Sequence, residues 1–197
     1  MTTITLVRHG LSTWNAEGRA QGHCDAPLHS TGRKQARCVA KRLVETPWNA
    51  FYSSDLPRAK ETAEIIVKEF GQHTISEDAR LREVDCGELI GLTLEERIER
   101  WGDNWRSLAL GRESSEDAGN RGVEAIEMIR ARHPGEQILV VSHGAVLRHT
   151  LQRLVEGLFL ATPLGNTSLT TIHHDGHKWS CTLMDCTVHL NEPNEMR

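Results

Sequence analysis

The stretch Met1–Asn15, MTTITLVRHGLSTWN, decides the fold. Ile4-Thr5-Leu6-Val7 is a short apolar and β-branched run, the pattern of a buried strand, and it stops abruptly at Arg8-His9-Gly10. A cation, an imidazole and a glycine at a strand end can hold an anion. The guanidinium offers a planar fork of donors, the glycine admits close backbone approach, and a neutral imidazole is a nucleophile. A second run, Ile138-Leu139-Val140-Val141-Ser142, is apolar on both faces, as a central parallel strand must be, and it too ends in a histidine and a glycine, His143-Gly144. In open α/β sheets ligands bind beyond the carboxyl ends of strands, so the two ends predict one crevice.

The segments between and around these runs supply the rest of that crevice. Residues 16–30 read as a loop rich in turn formers, whose Gln21-Gly22 can close over whatever the first strand end binds. Residues 31–45 read as a helix with Ala36, Val39, Ala40 and Leu43 on one face. Asn49–Ser53 reads as a second strand, and Pro57-Arg58 opens a helix with a stripe of Ala59, Ala63, Ile66, Val67 and Phe70. Arg58 is thus another cation at a strand–helix junction, where free N–H groups favour anions. With Arg8, His9 and His143 it makes four anion-binding side chains at equivalent ends.

His73–Glu77 is expected to be a third strand. Residues 79–92 carry Glu83, Asp85 and Glu88; one carboxyl here can donate a proton, and spacing does not say which. Residues 93–112 are expected to form one or two helices in which Trp101 and Trp105 pack a lid or core, and Ser115–Arg132 a helix with Val123, Ile126 and Ile129 inward. A helix after His143 has Leu147, Leu151, Leu154, Val155 and Leu158 in phase. Thr167–His173 and Trp179–Met184 flank Asp175-Gly176, a hairpin signal. His173, His174, His177 and His189 lack the cysteine or acidic partners of a metal site, and no metal is expected.

The whole points to one α/β unit over residues 1–190: a three-layer sandwich with a mostly parallel central sheet, helices on both faces and an antiparallel C-terminal hairpin region. Residues 191–197 are expected to form a loose tail. A net charge of −4 provides no broad basic field, which argues against nucleic acid and anionic lipid as partners. No apolar run approaches a membrane span, and the basic start and apolar segment of a signal peptide are missing. Five scattered cysteines without CxxC spacing read as reduced thiols of a cytoplasmic protein. The oligomeric state is open, a homodimer included.

At this point the residues resemble the histidine phosphatase superfamily in its phosphoglycerate mutase-like branch, over nearly the whole chain. LVRHGLSTWN, AQGHCDAPLHSTGRKQA, SSDLPRAKETAEII, LREVDCGE, VVSHGAVLR and NTSLTTI are similar to the family's motifs and stand in its order. The resemblance implies that His9 is the nucleophile that becomes phosphorylated and that Glu83 is the acid for the leaving oxygen and then the base for water. It implies that Arg8, Arg58 and His143 hold the phosphoryl oxygens, and that Asn15, Gln21, Gly22 and Gly144 belong to the substrate-binding set. It implies no metal or organic cofactor and a small phosphorylated metabolite as partner.

There are departures from the family pattern. Leu11 stands where the family usually has Glu or Gln, and is expected to touch the pocket rim. Cys86 stands where true mutases carry a substrate-contacting tyrosine, their paired arginines are not found between Glu88 and Ser115, and that segment is shorter than the mutase insertion. A mutase must keep a diphosphorylated intermediate from escaping, which fewer clamps and a smaller lid make harder. The expectation is therefore a phosphatase acting on small phosphomonoesters. The alternatives are a 2,3-bisphosphoglycerate-dependent phosphoglycerate mutase and a non-catalytic phospholigand-binding member of the fold.

Overall fold

A computed structural model describes residues 1–71 and 74–191. Strand β1 (Thr2–Arg8) lies deep in a six-stranded sheet of order β3-β2-β4-β1-β5-β6. It pairs in parallel with β4 (Gln137–Ser142), from Thr3 opposite Gln137 to Arg8 opposite Ser142. On its other side it pairs antiparallel with β5 (Leu169–His174). β2 (Ala50–Ser53) is parallel to β4 and to the two-residue β3 (Ser76–Glu77), while β6 (Trp179–Cys186) closes the antiparallel edge. The sheet is therefore mostly parallel with an antiparallel C-terminal hairpin, as the sequence pattern predicts. Of the expected third strand only Ser76 and Glu77 pair; His73 lies outside the described residues, as do residues 192–197 of the expected tail.

The period-two alternation of the central strands divides the core. Ile4, Leu6, Ile138 and Val140 face α5 (Ser115–Arg132) and α6 (Gly144–Leu154), meeting Ala125, Ile126, Ile129, Leu147 and Leu151. Val7, Leu139 and Val141 face α2 (Ser30–Leu43) and α3 (Pro57–Glu69), meeting Val39, Ala40, Ala59, Ala63 and Ile66. Each such Leu or Ile contributes roughly 1.5–3 kcal/mol by leaving water, and with both faces covered the register of β1 and β4 cannot slip by one residue without turning every side chain over. Helix α5 departs from the expected stripe. Val123 is half-buried, and Gly119 and Gly122 turn inward instead. A Cβ on Gly122 would come within 1.9 Å of Thr150 Oγ1 on α6, so the helices pack closer than apolar periodicity discloses.

The remaining elements are short. α1 (Thr13–Ala16) follows β1. The acidic stretch folds into 3₁₀ turns at Ala79–Leu81 and Gly87–Leu89, and α4 (Leu94–Trp101) is followed by a 3₁₀ turn at Asp103–Ser107. Trp105 is buried against Leu89 and Leu110, a small cluster separate from the main core, while Trp101 is only partly buried beside it. No helix among the described residues is long and apolar enough to cross a membrane. The parallel pairing has one consequence for chemistry: β1, β4 and β2 all end at the same edge, at Arg8-His9, Ser142-His143 and Ser53-Ser54.

Candidate active site

The His9 backbone N–H donates to the Ser142 carbonyl at 2.9 Å, which sets the first histidine beside the second. The His9 and His143 rings lie 5.0 Å apart, tilted by 60°. His9 is 1% exposed. Its Nδ1 is 2.7 Å from the Gly10 carbonyl oxygen. A carbonyl only accepts, so Nδ1 carries the ring hydrogen and Nε2 keeps a lone pair. Burial, then Arg58, then Arg8 hold its pKa well below the ordinary 6.5, outweighing the Gly10 carbonyl. The imidazole is therefore neutral, of one tautomer, and among cations.

Gly10 serves a different purpose from the one its place in the motif suggests. A Cβ there would lie 2.5 Å from the Gly32 carbonyl oxygen, so the glycine admits the backbone of α2 and not a ligand. Leu11 is also corrected. It lines neither cavity at this edge; its N–H donates to Gln35 Oε1 at 2.9 Å and its backbone packs on Gly32.

Two guanidiniums flank His9. Arg58, in the first turn of α3, is fully buried and donates to the Cys24 and Gly22 carbonyls, each at 2.8 Å. The Gly22–Cys24 backbone thus holds a cation in place. Arg8 donates to the Leu164 carbonyl. Gly144 lies under Arg8, where a Cβ would stand 3.1 Å from Arg8 Nε and 3.2 Å from Pro163 Cβ. Gly144 thus spaces Arg8 and does not itself line the inner cavity. Burial lowers the pKa of both arginines, against the pull of Glu83, yet a guanidinium remains charged.

His143 Nε2 lies 2.9 Å from Ser54 Oγ, which accepts the Leu56 N–H. Ser54 can give its hydroxyl hydrogen to His143 Nε2, which leaves the ring hydrogen on Nδ1. Burial first, then Arg58 and His9, keep His143 neutral with a pKa well below 6.5. Arg8 Nε, Arg58 Nε and His143 Nδ1 are all buried with no partner among the described residues. An unpaired buried donor costs about 1–3 kcal/mol, and an anion beside His9 can take the two arginine N–H groups and, in the tautomer that the Ser54 hydroxyl favours, that of His143.

Of the three candidate acids the tertiary structure selects Glu83. Its Oε1 accepts the Val84 and Val146 N–H groups, both at 2.9 Å, and its Oε2 the Ala145 N–H at 3.2 Å. The last two open α6, so the Glu83 carboxyl caps that helix. Asp85 instead accepts from the Gly87 N–H, and Glu88 is exposed. Arg121 of α5 clamps this loop, donating to the carbonyls of Arg80, Arg82 and Glu83 and to both oxygens of Glu113. His23 Nε2 adds a bond to the Glu83 carbonyl at 2.7 Å.

Arg8, His9, Asn15, Gln21, Gly22 and Glu83 line one small cavity of about 190 Å³. Arg58 and His143 lie buried beside His9 without lining that cavity. Gln21 accepts the Ser12 hydroxyl at 2.6 Å, and Asn15 Oδ1 accepts from Asn166 Nδ2, which also donates to the His9 carbonyl. Val84, Cys86 and Ala145 are shared with a larger outer cavity of about 820 Å³. Burial pushes the Cys86 thiol up to about 11, so it is no nucleophile here.

Sequence reasoning passed over Ser54, Arg121 and Asn166. Ser54 follows a strand end, the same signal that marked His9 and His143. Arg121 and Asn166 carry no local signal, because their partners are remote in the chain.

Among the described residues no group of three or more His, Cys, Asp or Glu is placed to hold a metal ion. His173, one of the hairpin histidines, is bonded to Thr3 and Thr182.

Residues 4–187 match the histidine phosphatase superfamily (branch 1). The chain is 37% identical over 202 residues to a metal-independent phosphoserine phosphatase of Arabidopsis thaliana, covering 97% of this chain and 84% of that one. It is 36% identical over 200 residues to phosphoglycerate mutase-like protein 4 of the same plant, covering 96% of this chain and 87% of that one. Among solved structures it is similar to Bacillus stearothermophilus YhfR, with a TM-score of 0.86 and 33% identity, covering 96% of this chain and 100% of that one.

Proposed function

The chain belongs to the histidine phosphatase superfamily, and from that premise we propose that it hydrolyses small-molecule phosphomonoesters through a phosphohistidine on His9. The reading rests above all on the state of His9: neutral, its Nε2 lone pair free, among three unpartnered N–H donors, with a carboxyl in the same cavity.

In the proposed reaction His9 Nε2 attacks phosphorus. The P–N bond forms as the bond to the leaving oxygen breaks, and Glu83, in its carboxylic-acid form, gives that oxygen a proton and is left a carboxylate. The carboxylate then takes a proton from water, whose oxygen bonds to phosphorus as the P–N bond breaks, which releases inorganic phosphate and neutral His9. Negative charge builds on the phosphoryl oxygens in both steps, and fixed donors are worth most where charge develops. Arg8, Arg58 and His143 are the donors in this reading, with the Gln21–Gly22 backbone and Asn15 completing the wall. Gly144 contributes by making room for Arg8. A neutral imidazole divides one hard displacement into two easier ones, and one carboxyl serves both.

The rival is phosphoglycerate mutase, a name that a relative 34% identical carries as a probable one. A mutase must shelter its phosphohistidine from water, and the outer cavity of about 820 Å³ beside the site favours hydrolysis instead. The five thiols, none paired in a disulfide, support a cytoplasmic setting.

Phosphate release from a panel of phosphomonoesters, wild type beside His9→Ala, tests the reading, with phosphoglycerate interconversion assayed in the same preparation. Release that disappears in His9→Ala is the expected result. Interconversion without release would install the mutase, and no phosphohistidine at all would install the non-catalytic alternative.

A further inference from the structure

The outer cavity opens directly beyond Glu83, and its charged lining is unbalanced. Two acids stand in its wall: Glu113 gives both oxygens to Arg121, which offsets its charge, while Asp85 accepts the neutral Gly87 N–H through Oδ1 and keeps its charge. Two arginines stand there as well, Arg112 at the end of the segment after α4 and Arg148 on α6. Neither pairs with a carboxylate among the described residues. Arg148 donates to the Ala161 carbonyl and to His149 Nε2, both at 3.1 Å, and its Nε is buried with no partner. Arg112 donates to the Arg106 carbonyl at 2.7 Å.

Around Arg112 the excess grows. The guanidiniums of Arg97, Arg106 and Arg112 lie 5.4, 4.4 and 5.8 Å from the centre of the Trp105 ring. The indole face attracts each of them, but it leaves their mutual repulsion in place. Burial and Arg106 both lower the pKa of Arg97. Glu95 and Glu96 pull the other way on Arg97, and of the three cations Arg112 is the one that lines the outer cavity.

Position tells what it faces. Ala145, whose N–H holds Glu83, is followed one helical turn later on the same face of α6 by Arg148, and both line the outer cavity. A leaving group whose ester oxygen meets Glu83 therefore extends past Ala145 toward Arg148 and Arg112. Guanidinium forks match carboxylate and phosphate geometry.

We propose that Arg148 and Arg112 form a subsite for a second anionic group, a carboxylate or a phosphate, on the leaving group of the substrate. The preferred substrates are then phosphomonoesters of anionic alcohols, which rests on the phosphatase reading above.

The test compares matched substrates. O-phosphoserine and O-phosphoethanolamine differ by one carboxylate; fructose 1,6-bisphosphate and fructose 6-phosphate differ by one phosphate. The expected kcat/KM ratio, anionic over neutral partner, is about tenfold or more in the wild type for one pair, and that pair identifies the anion. In Arg112→Gln/Arg148→Gln the ratio falls about tenfold, as for loss of a charge-assisted bond, while Arg148→Lys restores part of it. Thermal melts check that the variants fold. Wild-type ratios near one for both pairs, or a ratio the double variant does not change, would overturn the subsite. If p-nitrophenyl phosphate is still cleaved in a His9-dependent way, the phosphatase reading survives that failure; if it is not, both fall.

Discussion

Glu83→Gln separates proton delivery from the other work of the carboxylate. Glutamine is close in shape, and its amide oxygen can keep the two 2.9 Å bonds from Val84 and Val146. It loses the 3.2 Å bond from Ala145 and turns an NH₂ toward that donor. One charge-assisted bond is worth about 1.5–3 kcal/mol, and the charge at the α6 N-terminus about 0.3–1 kcal/mol. The expected stability loss is about 2–4 kcal/mol, or a Tm drop of about 4–16 °C in a chain of this size. The variant therefore folds, and kinetics can be read from it. A general acid contributes about a hundredfold to ten-thousandfold, and only where the leaving oxygen needs a proton. Alkyl phosphates should slow by that factor. p-Nitrophenolate needs no proton, so its burst in a single turnover should change by less than about tenfold. The burst isolates the first step from the water attack, in which Glu83 also takes part. If the burst and alkyl phosphate turnover slow by the same factor, the leaving-group role of Glu83 is wrong.

Four further outcomes follow from the same geometry. His9 must be neutral to act, and its pKa lies well below 6.5, so activity should persist as the pH falls through 6.5 and disappear only lower; an acid limb of kcat/KM at or above 6.5 would contradict this. Because the folded pKa is lowered, His9 favours folding above 6.5 and loses that contribution as pH falls toward the folded value. Arg121→Ala frees the carbonyls of Arg80, Arg82 and Glu83 and strands Glu113; alkyl phosphate turnover should fall at least tenfold more than the p-nitrophenolate burst, and an equal loss in both would make Arg121 merely structural. Gly32→Ala puts a Cβ 2.1 Å from the Leu11 carbonyl oxygen, backbone against backbone, and should cost about 1–3 kcal/mol by overpacking; an unchanged melting temperature would show that α2 is free to shift.

Local pattern determined a good deal of this protein. The apolar runs Ile4–Val7 and Ile138–Val141 specified two buried strands, and the stripes of α2, α3 and α6 specified which faces turn inward, because burial of apolar area acts on residues at fixed spacing. Arg8, His9, Arg58 and His143 were legible for the same reason: each follows a strand or opens a helix, and parallel pairing brings such ends to one edge. Spacing did not choose Glu83 over Asp85 and Glu88; the motif resemblance named it, and the tertiary structure supplies the physical reason, that its carboxyl reaches the first N–H groups of α6. Tertiary structure alone made His9 neutral and assigned its hydrogen, through burial and through Arg58, Arg8 and the Gly10 carbonyl. It alone turned Gly10, Gly32 and Gly122 into points of backbone contact, and gave Arg121, Asn166 and Arg148 their partners. Sequence spacing encodes direction along one element; protonation, close packing and charge balance depend on groups that meet only after the sheet has assembled.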